Sequence, residues 1–188
     1  TTWLSKTYDT PDITEPGRKS IAANPGLLYY ASATGKAIHR SLIGGLQFEG
    51  RVLGDQPWTI RALLRADGHI EVIGDIVYEW SRPHPDRYVE TISAATRSSA
   101  DRATEMATLA PLVFGDVCTE VDARIADEAT RLAVKKAYFD RLVRSDLGVP
   151  VRQALDRRDP DTGRFYEAVA RFLDSVPPSI LVTSDALI

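Results

Sequence analysis

Residues 46–80 read LQFEGRVLGDQPWTIRALLRADGHIEVIGDIVYEW, with apolar side chains at every second position through much of the stretch. Leu46, Phe48 and Val52 alternate with Gln47, Glu49 and Arg51. Trp58, Ile60, Ala62 and Leu64 alternate mostly with polar residues, and Ile70, Val72, Ile76, Tyr78 and Trp80 do the same. A period of two belongs to strands with one buried face, so the spacing predicts a three-stranded antiparallel meander. Asp67-Gly68 invites a two-residue turn, but that turn sets Leu64 opposite Glu71 and Ile60 opposite Asp75. A three-residue loop, Ala66-Asp67-Gly68 with Gly68 left-handed, instead pairs Leu64 with Ile70, Ala62 with Val72 and Trp58 with Ile76. The other face then gathers Glu49, Arg61, His69, Glu71, Asp75 and Glu79.

Downstream the period changes. After the boundary Ser81-Arg82-Pro83-His84-Pro85, the residues Tyr88, Ile92, Ala95, Ala103 and Met106 predict a helix that falters at Ser98-Ser99. Pro111 permits a new start, and Val113, Val117, Val121, Ile125, Leu132, Phe139 and Val143 mark a long amphipathic helix ending at Gly148. A short helix follows from Pro150 through Leu155. Phe165, Val169, Phe172, Leu173 and Val176 define another that stops before Pro177-Pro178, and Ile180-Leu181-Val182 is expected to add an edge strand.

Upstream, residues 1–25 carry Pro11, Pro16 and Pro25 without a sustained apolar period and read as an extended arm. Trp3 and Tyr8 give it apolar anchors for its own domain or a neighbouring subunit. Asn24-Pro25 matches an N-cap with proline in the first helical position. From there Leu27, Leu28, Ala31, Ile38 and Leu42 form one helix face before Gly44-Gly45; Thr34-Gly35 weakens it, leaving two short strands as the alternative. The expected fold is α+β: the arm over 1–25, then one domain over 26–188. Its small three-stranded antiparallel sheet lies within 26–80 and a larger helical layer within 81–188.

Composition narrows the function class without naming one. The 188 residues carry 23 Lys+Arg against 26 Asp+Glu, a net charge of -3, so no general attraction to nucleic acid is expected. A single cysteine, Cys118, makes no internal disulfide and offers no zinc-site spacing, which fits a reducing cytoplasm. The opening TTWLSKTYDT lacks a basic segment followed by an apolar run, and no stretch reaches membrane-spanning length, so neither secretion nor a membrane partner is expected.

The motifs are mostly negative. SATGKAIH holds a Gly-Lys pair, but a phosphate-cradling loop needs glycine where Tyr30 stands and Ser or Thr where Ala37 stands. His69 and Glu71 have the H-x-E spacing of zinc deaminases without the later cysteine pair. Cys118 falls on a helix face as a small buried hydrophobe, while His39 and His84 read as surface or capping residues. Asp116, Glu120, Asp122, Asp127 and Glu128 interleave with Arg124, Arg131, Lys135 and Lys136 as i,i+4 pairs of a solvated face. No cofactor is predicted.

Two functions follow as expectations. The first is a non-enzymatic interaction or assembly subunit of a homo- or hetero-oligomer. Its protein partner meets the arm through Trp3 and Tyr8 and the long helix through Phe139 and Val143. The alternative is a small metal-dependent hydrolase on the charged sheet face. There Glu71 and Asp75 serve as ligands or acid/base groups, His69 lies nearby and Arg61 stabilises developing negative charge.

Overall fold

The computed structural model describes residues 10–48, 55–66, 68–75, 99–149, 152 and 163–184. Over these it is a mainly helical assembly with one small antiparallel sheet of two strands, an α+β mixture with one strand fewer than the sequence pattern predicts. Of the three strands that the alternation predicts, the middle one is helical, residues 46–48 of the first are not in a strand, and Ile70–Val72 of the third pairs with a strand from outside the stretch. Asp55–Ala66 forms helix α3, for which physical reasons are visible in its composition. Asp55 stands in the first turn, where a carboxylate meets the positive end of the helix dipole. Pro57 follows early enough that its missing N–H costs no helical hydrogen bond, and Ala62-Leu63-Leu64-Arg65-Ala66 are all strong helix formers. Ile60 and Leu64, one turn apart, are buried to 0% and 2% exposure, and Leu63, the apolar residue that broke the alternation, packs on the core. Gly68 does adopt the left-handed conformation, φ 71°, but just past the end of α3 instead of in a hairpin. There the His69 N–H bonds back to the Ala66 carbonyl at 2.8 Å.

The sheet pairs β1, Gly17–Lys19, with β2, Ile70–Val72, in the register Gly17 to Val72, Arg18 to Glu71 and Lys19 to Ile70. The alternation at Ile70 and Val72 thus holds: both lean on the core while Glu71 faces out. β1 comes from the stretch read as an arm, which also holds the helical turn α1, Pro11–Thr14, and the fully buried Ile21. The Asp12 carboxylate then accepts from Asn24 Nδ2 at 2.9 Å and from the Gly26 N–H at 2.7 Å, tying α1 to the following helix. That helix is a 3-10 helix, Pro25–Tyr30, with proline at its start as expected. It ends far short of Leu42; a loop leads to the single turn α2, Arg40–Ile43.

The helical layer is built on α4, Ser99–Arg124, which runs through Pro111 instead of restarting there. The predicted long helix is broken at Ile125-Ala126-Asp127. Asp127 caps α5, Glu128–Arg141, by accepting from the Thr130 N–H at 2.8 Å and the Thr130 hydroxyl at 2.6 Å. Arg131 Nη1 donates to the Ile125 and Ala126 carbonyls at 3.1 and 2.9 Å, closing the end of α4. The chain therefore reverses, and Lys135 meets Asp122 at 2.6 Å across the hairpin. α5 passes into a π-helical stretch, Leu142–Leu147. Gly163–Ser175 forms α6, the helix read from its Phe and Val spacing, and Pro178–Leu181 forms the turn α7 where an edge strand was expected. Pro177 precedes that turn and Pro178 opens it, where fixed φ and a missing N–H favour a helix start.

The core lies where α4, α5 and α6 meet. Phe114 of α4 stands edge-on to Phe139 of α5 at 5.9 Å and to Phe172 of α6 at 6.0 Å, and lies parallel to Tyr138 at 6.4 Å. Such aromatic pairs add about 0.5–1.5 kcal/mol each beyond the area they bury. Val113, Val117 and Val121 line the same face of α4, as their spacing predicts. The expected helix over 150–155, the apolar positions 88–95, the strand positions 49–54 and 76–80, and Trp3 and Tyr8 lie outside the described residues.

Candidate functional site

Among the described residues, a buried polar cluster forms where the end of α5 meets the start of α3 and the 3-10 helix. Val134, Tyr138 and Arg141 fall on one stripe of α5, so the apolar spacing that buries the first two carries a guanidinium inward with them. Arg141 is only 4% exposed. Its Nε donates to the Tyr29 carbonyl at 3.0 Å and its Nη1 to Gln56 Oε1 at 2.7 Å, and it pairs with the Asp146 carboxylate. Gln56 Oε1 also accepts from the Tyr138 hydroxyl at 3.2 Å. Burial pushes the Asp146 carboxyl above the usual range, with the Arg141 charge and hydrogen bonds from Gln56 and Arg141 pulling the other way. Burial likewise pushes the Tyr138 hydroxyl far up, so it remains a donor at any physiological pH.

Beside this cluster the loop after the 3-10 helix carries Lys36. Its Nζ stands 3.6 Å from the centroid of the Tyr30 ring and donates to the Ser32 carbonyl at 2.5 Å. Asp55 is held nearby by the Ala33 N–H, 3.2 Å from its Oδ2. Gly35 makes the arrangement possible: its φ is 68°, and a Cβ there would lie 2.7 Å from the Tyr30 hydroxyl. Burial, assisted by the Arg141 charge, lowers the Lys36 amine to about 7 against the pull of Asp55. A second buried group sits on α5 at the residue before Arg141, where Asp140 accepts from the Ser184 hydroxyl and from Lys136 Nζ at 3.2 Å.

The residues singled out in the sequence are dispersed. Arg61 projects from α3 to pair with Asp116 of α4 at 2.7 Å, because its segment is helical. The sheet face that was to unite it with Glu71 and Asp75 is therefore not formed. His69, Glu71 and Asp75 are exposed along and beyond the two-stranded ribbon. Arg18 donates to His69 Nδ1 at 2.6 Å, placing any ring proton of a neutral His69 on Nε2, and to the Gly68 carbonyl at 2.6 Å. Among the described residues no group of three or more His, Cys, Asp or Glu side chains has an arrangement that could hold a metal ion. Phe139 is fully buried in the aromatic core and Val143 is half-buried against it. Cys118 is half-buried on the core edge, its thiol pushed up to about 11 by burial. His39 caps α2, its Nδ1 2.8 Å from the Ser41 hydroxyl.

Sequence reasoning passed over the cluster for two reasons. In the sequence Lys36 stands out only as part of an incomplete phosphate loop, although it follows the apolar run Leu27-Leu28-Tyr29-Tyr30-Ala31 and is preceded by glycine. Arg141 was legible as a charge on the apolar stripe of α5, seven residues after Val134 and three after Tyr138. Its partners Tyr29 and Gln56 lie 112 and 85 residues away, and local spacing cannot supply them. Among the described residues no helix is long and apolar enough to cross a membrane. Compared with known protein families, curated proteins and solved structures, the chain matches none of them.

Proposed function

We propose that the chain is a non-enzymatic interaction subunit that self-associates through the surface around Phe48 and Trp58. The observation that carries this reading is the stacked aromatic pair itself. The two rings lie 4.9 Å apart at 15°, and Phe48 is 60% exposed. Scattered exposed aliphatic residues are ordinary on a protein surface, whereas a preformed aromatic plate loses little side-chain freedom when a partner covers it. Covering the exposed part of Phe48 would contribute about 1–2 kcal/mol. A second copy is the occupant chosen, since a net charge of -3 on each chain opposes association only weakly at physiological salt. Light scattering across the micromolar range tests the reading. A dimeric mass is expected for the wild type and a monomeric one for Phe48→Ser; a wild type that stays strictly monomeric defeats it.

A further inference from the structure

We infer that Arg65 is the positioning residue of the Phe48 and Trp58 surface, fixing the turn at residues 43–46 so that Phe48 already lies on Trp58 before a second copy arrives. The role rests on the self-association proposed above. Trp58 and Arg65 stand seven residues apart on α3, two turns along one stripe, so a single helix face carries both the inner ring and the cation. Arg65 Nη1 donates to the Leu42 carbonyl at 3.0 Å and to the Gly44 carbonyl at 3.1 Å, which uses both of its hydrogens. Those carbonyls belong to the last turn of α2 and to the residue that ends it. Arg61, one turn earlier on α3, pairs instead with Asp116 of α4 at 2.7 Å.

The loop that Arg65 holds has a definite form. Gly44 has φ -56° and ψ 124°, Gly45 has φ 76°, and the Leu46 N–H donates to the Ile43 carbonyl at 3.0 Å. Those are the marks of a type II β-turn, whose third residue needs the positive φ that glycine accepts. The turn reverses the chain after α2. Two residues beyond Leu46, the Phe48 ring meets Trp58 with centroids 4.9 Å apart, 15° from parallel. Gly44, Gly45 and Gln47 are exposed, so among the described residues Arg65 is the side chain that ties this path to α3 ahead of the stack itself. A free loop would lose its conformational freedom on association, once in each copy; a loop held by Arg65 has lost it on folding.

The test reads ring position and assembly separately. Acrylamide quenching of the chain carrying Trp3→Phe and Trp80→Phe, at submicromolar concentration, reports the cover on Trp58. Light scattering of the otherwise unchanged chain across the micromolar range reports the dimer. Arg65→Met should raise Trp58 quenching to the level of Phe48→Ser and weaken the dimer about tenfold, with circular dichroism unchanged. Arg65→Lys, which keeps the charge and an N–H donor, should fall between Arg65→Met and the wild type. Gly45→Val should act as Arg65→Met does while leaving the guanidinium in place, because a Cβ there meets nothing within 4 Å and only the positive φ opposes it. Should the chain lacking Trp3 and Trp80 not fold, 5-fluorotryptophan in the unchanged chain, its Trp58 signal assigned by Trp58→Phe, gives the ring position instead. Trp58 as well covered in Arg65→Met as in the wild type, or a dimer that stays as tight once Trp58 is uncovered, overturns the role of Arg65. A wild type that is monomeric throughout, with Trp58 still uncovered by Arg65→Met, overturns the self-association and leaves the hold of Arg65 on Phe48 standing.

Discussion

Replacing Arg141 with methionine removes the guanidinium from the centre of the buried cluster while keeping a long apolar stem. Three interactions are lost: donation to the Tyr29 carbonyl, donation to Gln56, and the pair with Asp146. What decides the magnitude is the state of the groups left behind. Asp146 is 8% exposed and already carries a carboxyl raised by burial, so without Arg141 it either holds an unpaired buried charge or takes up a proton. Breaking such a pair from one side costs about 3–5 kcal/mol, which is a large share of the total stability of an ordinary domain. Urea denaturation measures it as a lower midpoint at constant slope. Removing both ions, in Arg141→Met with Asp146→Leu, should recover about 2 kcal/mol of that loss, because no charge is then stranded. The single-variant penalty should also shrink as the pH is lowered, since protonated Asp146 no longer needs a partner. A cost below about 1 kcal/mol for Arg141→Met, or a double variant no better than the single one, would refute the view that this pair is held by mutual neutralisation.

Two further outcomes follow from the same packing. Phe114→Ala should cost about 3–5 kcal/mol by thermal or chemical denaturation, because Phe114 touches Tyr138, Phe139 and Phe172 and none of these buried rings can move in without leaving another gap. Lys36 predicts a pH dependence. Its amine is lowered in the folded chain to about 7 from 10.5, so between those values the unfolded chain binds more protons and stability rises with pH. Relative to Lys36→Met, the wild type should gain stability over that window by up to about 1.4 kcal/mol per pH unit; parallel stability curves would show that the amine keeps its ordinary affinity for protons.

Where a helix ran on apolar spacing alone, the sequence was a good guide. Val113, Val117 and Val121 of α4, Ile125 just beyond its end, and Phe165 and Phe172 of α6 are buried as their spacing predicts, and Pro177-Pro178 follows the end of α6. The segment 55–66 misled because Trp58, Ile60, Ala62 and Leu64 satisfy a period of two while Gln56, Ile60, Leu63 and Leu64 satisfy a helical one. A 12-residue window holding both patterns is decided by tertiary packing. β1 was hidden for a different reason: Gly17-Arg18-Lys19 has no strand-forming residue and exists as a strand because β2 is there to pair with it. The polar cluster was legible only as an anomaly, a guanidinium on an apolar stripe.

The span bridged by Arg141 also bears on how the chain leaves the ribosome. Gln56 is synthesised 85 residues before the guanidinium it meets. At about 5–20 residues per second, that interval is roughly 4–17 s. Throughout it, the start of α3 and the 3-10 helix have their apolar faces made but not α5, against which the 3-10 helix packs. This part of the nascent chain therefore waits as an incomplete layer, and Leu27, Leu28, Ile60 and Leu64 are the side chains a holding chaperone would grip in that interval.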